Sequence, residues 1–414
     1  MKIKFKIAAM LAAVALFSIT SCNKTPDAPA VSDETGVLKI TLELPNDAPS
    51  ETRAAASTAR PITTWAKSIK TVMVIFANTS GVVLDARTIT PSTATDATAK
   101  EYTLTNVTAG VAYDIFVVAN YDQAGFNYAS PNPAWTIANV KGKNISALPL
   151  TLAASSTYAA RPTETGHTAY SSPAEFFVGT QRNITVTADQ TNPTAIAFTL
   201  TRAVSMFRTR IISLAAANPP SMPVGNSSVA FGDANADIRI RRIANEVKLQ
   251  TPASPADNVV FAPGTKVGTQ LVYSKGAMSA TNPVAADYTN PTTMLGTGGT
   301  AHKFWKDILI LPGGHATTNS QMFEVVISGL APVGYIPIDV TTNQPAAALT
   351  APALVYWAGI VEQQAISRNQ ILEVDLTINS AGYNNPPQPG TTGNLKITIS
   401  LADWGTIVNA DITM

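Results

Sequence analysis

The sequence predicts an all-β fold with few short helices, and three observations support this prediction. Apolar and polar residues alternate in many short segments, which is the pattern of strands with one buried face. Loops rich in Gly, Pro and Asn separate these segments, in a chain of 414 residues with 28 prolines and 24 glycines. The composition is 45% hydrophobic and only 13% charged, so a large core is available.

The strand pattern runs through both halves of the chain. A nearly continuous apolar segment, residues 69–77, predicts a central strand buried on both faces. Arg208 and Arg210 are expected on the polar side of their strand. A domain boundary is expected near residue 197, and residues 132–140 predict a short helix. The other predicted strands are residues 82–89, 101–107, 111–120, 199–212, 238–250, 303–311, 322–328, 354–361 and 371–379.

The first 21 residues have the layout of a secretory signal peptide. Three lysines within residues 1–6 precede an apolar run over residues 7–19, which is too short for a membrane-spanning helix. Cys22 is the only cysteine, and it follows Ile19-Thr20-Ser21, which resembles the bacterial lipobox. We therefore expect the Cys22 thiol to carry a lipid, which would be the precursor's only contact with the membrane. Residues 23–35 predict a disordered tether, and no disulfide is possible within the chain.

One strand pattern occurs twice, near the two ends of the chain. Residues 36–44 read GVLKITLEL and residues 393–401 read GNLKITISL, so six of nine positions are identical. Both copies place their apolar side chains on one face. The two segments could be neighbouring strands that match by chance, or alternative occupants of one position in a sheet. The apolar residues are Leu38, Ile40, Leu42 and Leu44 in the first copy and Leu395, Ile397, Ile399 and Leu401 in the second.

A polar, Ala-rich loop over residues 45–61 follows the first copy and is a candidate for proteolysis. It contains two arginines. Arg60 precedes Pro61, which usually obstructs proteases, whereas Arg53 precedes Ala54 and two further alanines. We therefore predict cleavage between Arg53 and Ala54. The hypothesis is that the first copy is a temporary occupant of a sheet, and that the second copy of another molecule replaces it.

The second copy follows a segment with the composition of a linker, residues 380–393. Fourteen extended residues span about 45 Å, so the last strand need not pack on its own domain. Residues 395–401 and then 404–412 would form a terminal arm.

Enzymatic, metal-binding and nucleic-acid functions are not indicated. His167, His302 and His315 are scattered and lack partners at zinc-ligand spacing. Residues 233–237 imitate the start of a calcium loop, but Ile238 replaces its turn glycine and Ala244 its glutamate. Neither glycine cluster, at residues 296–299 or 313–314, has the Lys-Ser/Thr ending of a phosphate loop. The net charge of +1 shows no excess of basic residues that would indicate nucleic-acid binding, and no cofactor is expected.

Short motifs along most of the chain resemble the fimbrillin family, the shaft subunits of type V pili. The end of the chain matches best, whereas Gln370 departs from an aromatic or His-containing run. The matching segments are Cys22, Arg53-Ala54, Val72-Met73-Val74-Ile75-Phe76, Arg202-Ala203-Val204-Ser205-Met206, Ser367-Arg368-Asn369-Gln370, Leu376-Thr377-Ile378, Asn384-Asn385-Pro386 and Ala402-Asp403-Trp404.

The resemblance implies two tandem β-sandwich domains of the transthyretin-like Greek-key type. It also implies an outer-membrane lipoprotein precursor, cleavage by an arginine-specific gingipain-type protease and polymerisation at the cell surface. The expected division is a signal peptide (1–21), a lipidated propeptide (22–53), two domains (54–197 and 198–380) and a linker with donor arm (381–414).

Under this reading the partners are copies of the chain itself, the protease, tip and anchor subunits, and adhesion targets on host or bacterial cells. Two alternatives remain open at the level of sequence. A retained lipoprotein that binds glycans or proteins would keep Cys22 for life. A tip adhesin would have no subunit beyond it to complement.

Overall fold

The computed structural model shows a chain built almost entirely of β-strands. It describes residues 34–44, 69–91, 99–123, 135–158, 164, 166–214, 228–250, 261–262, 264, 266–276, 278, 304–313, 322–363, 365–378, 380–389 and 395–403. Strands make up most of these residues, and the predicted fold class, tandem β-sandwiches with few short helices, is confirmed.

The strands of the first half, in chain order, are β1 (Thr35–Glu43), β2 (Val72–Ala77), β3 (Val83–Ile89), β4 (Ala99–Thr108), β5 (Ala112–Ala119), β6 (Pro149–Thr151), β7 (Thr168–Ser171), β8 (Phe177–Thr185), β9 (Thr194–Thr199) and β10 (Thr201–Arg202). A single-turn helix α1 (Ile137–Val140) and a short 3-10 helix (Ile145–Ala147) lie between β5 and β6. The side chain of Thr136 caps α1 by accepting a hydrogen bond from the backbone N–H of Asn139.

The second half adds ten strands: β11 (Ser205–Leu214), β12 (Asp237–Arg241), β13 (Glu246–Leu249), β14 (Phe261–Ala262), β15 (Gln270–Lys275), β16 (Phe304–Ile310), β17 (Phe323–Ala331), β18 (Ala353–Val361), β19 (Gln370–Ile378) and β20 (Leu395–Asp403).

Two sheets form the N-terminal sandwich. One has three strands in the order β4-β1-β9, and the other has five in the order β10-β8-β5-β2-β3. Alternate residues of β2, including Val74 and Phe76, face the core between these sheets, whereas Met73 and Ile75 face a larger core on the other side. Every residue of β2 is buried, so the prediction of a strand covered on both faces is confirmed.

The C-terminal sandwich is formed by a four-stranded sheet, β16-β11-β19-β20, and a five-stranded sheet, β18-β17-β12-β15-β7. A smaller sheet, β14-β13-β6, lies beside them. The large core includes Phe207 and Phe323, whose rings meet edge to face at 5.0 Å between centroids.

The two halves of the sequence are interleaved in the sheets. β7 pairs with β15 and β6 pairs with β13, so residues of the first half complete sheets of the second. The boundary predicted at residue 197 falls inside β9, which pairs with β1. The following strand, β10, still pairs with β8 of the N-terminal sandwich.

Residues 380–389 pack on the C-terminal sandwich and are not a free linker. Tyr383 is buried and exchanges two backbone hydrogen bonds with Tyr356 of β18. The carbonyl oxygen of Pro387 accepts a hydrogen bond from the buried guanidinium of Arg241 at 2.5 Å. The prediction of a fourteen-residue linker is therefore wrong for this segment. Prolines lack an N–H, but their carbonyl groups still form such contacts.

Among the described residues, no helix has the length and hydropathy needed to cross a membrane.

Candidate functional site

The candidate site is the position of β1 in its three-stranded sheet. β1 runs antiparallel to β4 and parallel to β9, and it is hydrogen-bonded to both. Ile40, in the middle of the strand, lies opposite Tyr102 on one side and Ile196 on the other. The residues predicted as the displaced strand therefore occupy a central strand.

The inward side chains of β1 are completely enclosed. Leu38, Ile40 and Leu42 have 0% exposure, and Leu44, directly after the strand, has 6%. Burial of such a side chain contributes roughly 1.5–3 kcal/mol. The sequence-predicted set is thus brought together on one face, and it is a major part of the N-terminal core.

The floor of the site is the face of the five-stranded sheet that packs against β1. Val72, Val74 and Phe76 of β2 belong to the same core cluster as Leu38. Tyr113 of β5 meets Phe76 edge to face at 5.4 Å, and its hydroxyl donates a hydrogen bond to the carbonyl oxygen of Thr108 at 3.0 Å. Burial raises the pKa of Tyr113, so the floor stays uncharged around neutral pH.

The outer face and the ends of β1 are polar. Lys39 lies 3.5 Å from Glu101 of β4, with both side chains exposed, so this ion pair stabilises the strand little. The backbone carbonyl oxygen of Glu34 accepts a hydrogen bond from Ala109, and that of Glu43 accepts one from Leu200. β1 is therefore held by its buried face and its backbone, not by charge.

Without β1 the sheet would fall into two separate strands, because in the described part of the chain β4 and β9 are each hydrogen-bonded to β1 and not to each other. Each would expose a row of backbone N–H and C=O groups, above four apolar pockets. Unpaired backbone groups and uncovered apolar surface of this kind favour the addition of an extended strand. The geometry of the site is thus that of a receptor for a peptide strand with alternating apolar residues.

The second copy of the repeated pattern lies in a different environment. Among the strands that the structure describes, β20 lies at one edge of its sheet and pairs only with β19, antiparallel, with Ile397 opposite Leu376 and Ile399 opposite Val374. Ile397 and Ile399 are partly buried against the large core. The predicted donor residues Leu395, Ile397, Ile399 and Leu401 therefore lie on one strand, but in the C-terminal sandwich and not beside β1.

Cys22, Arg53 and Ala54, as well as residues 404–412, lie outside the described residues. The predictions of lipidation and cleavage at these positions stay predictions.

Within the part of the chain that the structure describes, no group of three or more His, Cys, Asp or Glu residues is placed to hold a metal ion. In residues 233–237, which imitate the start of a calcium loop, the two aspartates interact with groups of the protein. Asp233 accepts a hydrogen bond from the backbone N–H of Asn235, and buried Asp237 pairs with Arg239 at 3.3 Å. His302 and His315 fall outside the described residues.

Sequence reasoning missed one wall of the site, strand β9. Its segment reads TAIAFT, in which alternate positions hold small residues, and only Phe198 is fully buried. A weak signal existed, because Ile196, Phe198 and Leu200 alternate with Ala197 and Thr199. The opposite wall, β4, was predicted as a strand, but its pairing with β1 was not.

Comparisons with known proteins find similarity of structure only. No protein-family model matches the chain, and no curated protein matches it. A fimbrilin from Porphyromonas gingivalis is 13% identical with a TM-score of 0.45, over 90% of this chain and 99% of that one. A Bacteroides eggerthii protein provisionally assigned to cell adhesion is also 13% identical, with a TM-score of 0.47, over 90% and 96% of the two chains. The tip fimbrial protein Mfa3 of Porphyromonas gingivalis is 11% identical with a TM-score of 0.38, over 89% and 100%.

Proposed function

We propose that this chain is a structural shaft subunit of a cell-surface fimbrium that polymerises by strand exchange. In this proposal the precursor is exported as a lipoprotein through Cys22 and is cleaved between Arg53 and Ala54. The released β1 leaves its sheet, and β20 of a second molecule takes its position. The subunit supports adhesion as part of the filament and has no catalytic role.

The observation that carries the proposal is the difference between the two positions of the repeated strand. Among the described strands, β20 has one neighbour in its own sandwich, whereas β1 lies between two. In the C-terminal sandwich the side chains of Ile397 and Ile399 are partly exposed, whereas the corresponding side chains of Ile40 and Leu42 in β1 are 0% exposed. Transfer of β20 into an emptied β1 position thus adds a second row of backbone hydrogen bonds and buries more apolar area.

Cleavage is the switch in this scheme, because β1 fills the position as long as it stays attached. A strand of the same chain is present at a very high effective concentration, so a second molecule cannot compete with it before cleavage. After cleavage β1 can dissociate and be lost by dilution. The receiving position and the donating strand lie on different surfaces, so the contact is head to tail and produces an open filament.

The proposal is tested by Arg53→Ala, with Arg60→Ala as the matched control in the same loop. We expect Arg53→Ala to be exported and folded but to remain monomeric, whereas Arg60→Ala forms filaments as the unaltered chain does. Negative-stain electron microscopy and size-exclusion chromatography give the readout. Filaments from Arg53→Ala would refute the switch.

The closest alternative, a lipoprotein that retains its first strand and binds glycans or proteins, predicts a different mature terminus. N-terminal sequencing of the surface form separates the two. A chain that begins at Ala54 supports the shaft subunit, and one that begins at modified Cys22 supports the retained lipoprotein.

A further inference from the structure

The site has a fifth inward position, and it is closed to any side chain. Along β1 the enclosed residues alternate, starting from Gly36. A Cβ built on Gly36 would overlap the carbonyl oxygen of Thr187 and lie 2.9 Å from Cγ1 of Val186. Four pockets accept Leu or Ile, whereas this position accepts only glycine.

The wall at this closed position is held in place by hydrogen bonds. The carbonyl oxygen of Val186 accepts a hydrogen bond from the backbone N–H of Gly110 at 2.9 Å. The backbone N–H of Thr187 donates to the side-chain oxygen of Thr194 at 3.1 Å. Since backbone atoms form the obstacle, it cannot move aside as the end of a flexible side chain would.

The sheet also changes register at this point. Gly36 lies opposite Val107, but Leu38 lies opposite Leu104, so β4 contains a bulge between them. Asn106 in the bulge has a φ of 57°, in the left-handed region that asparagine tolerates better than most residues. An incoming strand therefore meets a fixed irregularity at the same end as the closed position.

The second copy of the pattern carries glycine at the matching place. Gly393 precedes Leu395 by two residues, as Gly36 precedes Leu38. If the strand ran in the opposite direction with its four apolar side chains in the four pockets, Asp403 would fall on the closed position. A shift by two residues in the original direction would place Leu395 or Thr391 there. A shift by one residue would turn the polar face inward.

We propose that the closed position at Gly36 selects both the direction and the register of the strand that replaces β1. The inference rests on the proposed strand exchange and makes it more specific. The replacing strand enters parallel to β9, with Gly393 at the position of Gly36 and Leu395, Ile397, Ile399 and Leu401 in the four pockets. A strand of similar hydrophobicity that places a side chain at the position of Gly36 is rejected, because a Cβ there would overlap the carbonyl oxygen of Thr187.

The first test compares two neighbouring substitutions in the full chain, each treated with an arginine-specific protease. Gly393→Val places a side chain at the closed position, and we expect at least a tenfold loss of filament formation. Asn394→Val is the matched control, because β1 itself carries Val37 at the corresponding outward position. Thermal unfolding before cleavage checks that both variants fold as the unaltered chain does.

The outcomes separate this inference from the proposed function. Filaments from Gly393→Val equal to those of the unaltered chain would overturn the register selection and leave strand exchange standing. Failure of the unaltered, cleaved chain to assemble would overturn strand exchange itself.

A second test reads the register directly and does not depend on Gly393→Val folding. In a Cys22→Ser background, Lys396→Cys is combined with either Thr103→Cys or Ala99→Cys. The proposed register puts residue 396 in the place of Lys39, opposite Thr103, whereas the reversed strand would put it opposite Ala99. These two positions on β4 are roughly 13 Å apart, beyond the reach of one disulfide.

After cleavage and oxidation, we expect a ladder of disulfide-linked oligomers from the Thr103 pair on a non-reducing gel, and none from the Ala99 pair. A ladder from the Ala99 pair, or none from either pair in chains that form filaments, would overturn the inference.

Discussion

At the scale of single residues, the C-terminal sandwich contains arginines that are fully buried and fully paired. Arg239 and Arg241 of β12 have 0% exposure, and Glu164 lies 2.9 Å from the first and 2.7 Å from the second. Burial alone lowers the pKa of Arg239, but the carboxylates of Asp237 and Glu164 outweigh it and raise this pKa. The rings of Tyr158 and Tyr356 lie over the Arg239 guanidinium at 5.4 and 5.2 Å.

The same network includes the segment that leads toward the terminal strand. Arg241 also pairs with Glu324 at 2.8 Å and donates to the carbonyl oxygen of Pro387. Glu324 in turn lies 3.4 Å from Arg242. Removal of one partner from such a cluster leaves an uncompensated buried charge, which is strongly unfavourable.

We therefore predict that Glu324→Ala lowers the free energy of unfolding by about 3–5 kcal/mol. The matched control is Glu246→Ala, which breaks an exposed pair with Lys248 at 3.4 Å and should change stability by less than about 1 kcal/mol. Urea unfolding of the purified precursors measures both. Equal effects of the two substitutions would show that the buried cluster contributes nothing beyond a surface pair.

Two other buried arginines, Arg208 and Arg210, show what the sequence could and could not predict about single residues. Alternation correctly places Arg208 and Arg210 on one face of their strand, but both are buried. Arg208 pairs with Asp307 at 2.8 Å, and Arg210 pairs with Glu373 at 3.1 Å. Periodicity gives the face of a strand that a side chain occupies, whereas burial depends on neighbours that lie on β16 and β19, far away in the sequence.

At the scale of elements, the strands with strong alternation or a continuous apolar run were predictable, and their neighbours were not. β1, β2, β5 and β19 follow such patterns, and all were expected. β8 and β15 were missed, because β8 begins with four buried residues that include Gly179 and Thr180 and then becomes polar, and β15 has only six residues, so neither gives a clear periodic signal. The central position of β1 depends on a parallel pairing with β9, which is separated from it by about 150 residues of chain.

The proposed replacement of β1 by β20 leads to a paired prediction. In the precursor, Ile40→Ala should lower the free energy of unfolding by about 2–5 kcal/mol, because its side chain is fully buried. Ile397→Ala should lower the free energy of unfolding of the precursor clearly less, since the Ile397 side chain is only partly buried. After cleavage and assembly the order reverses, because the residue at position 397 then fills the pocket of Ile40.

Denaturant unfolding of the precursors and dissociation of purified filaments measure the two states. Filaments of Ile397→Ala that resist dissociation as well as those of the unaltered chain would contradict the exchange, whatever the stability of the precursors. Ile40→Ala filaments serve as the control, and their resistance should be unchanged.

At the scale of the whole molecule, the proposed receiving position and the proposed donor strand belong to different sandwiches. β1 lies in the sheet β4-β1-β9 near the beginning of the chain, and β20 lies at the edge of the sheet β16-β11-β19-β20 near its end. Under the proposed strand exchange, each subunit therefore has one strand to give and one position to receive a strand. Such a heterologous contact adds subunits in one direction and does not close by itself.

This polarity predicts that a cleaved chain lacking residues 395–414 stops filament growth. Its N-terminal sandwich can still receive a strand, but it has none to give, and β19 remains paired with β11. Mixed with the full chain before cleavage, it should shorten the filaments roughly in inverse proportion to its fraction. The control carries the same truncation together with Arg53→Ala, can neither receive nor give, and should leave filament length unchanged. Electron micrographs in which the truncated chain and its control give equal filament lengths would contradict directional growth by a terminal strand.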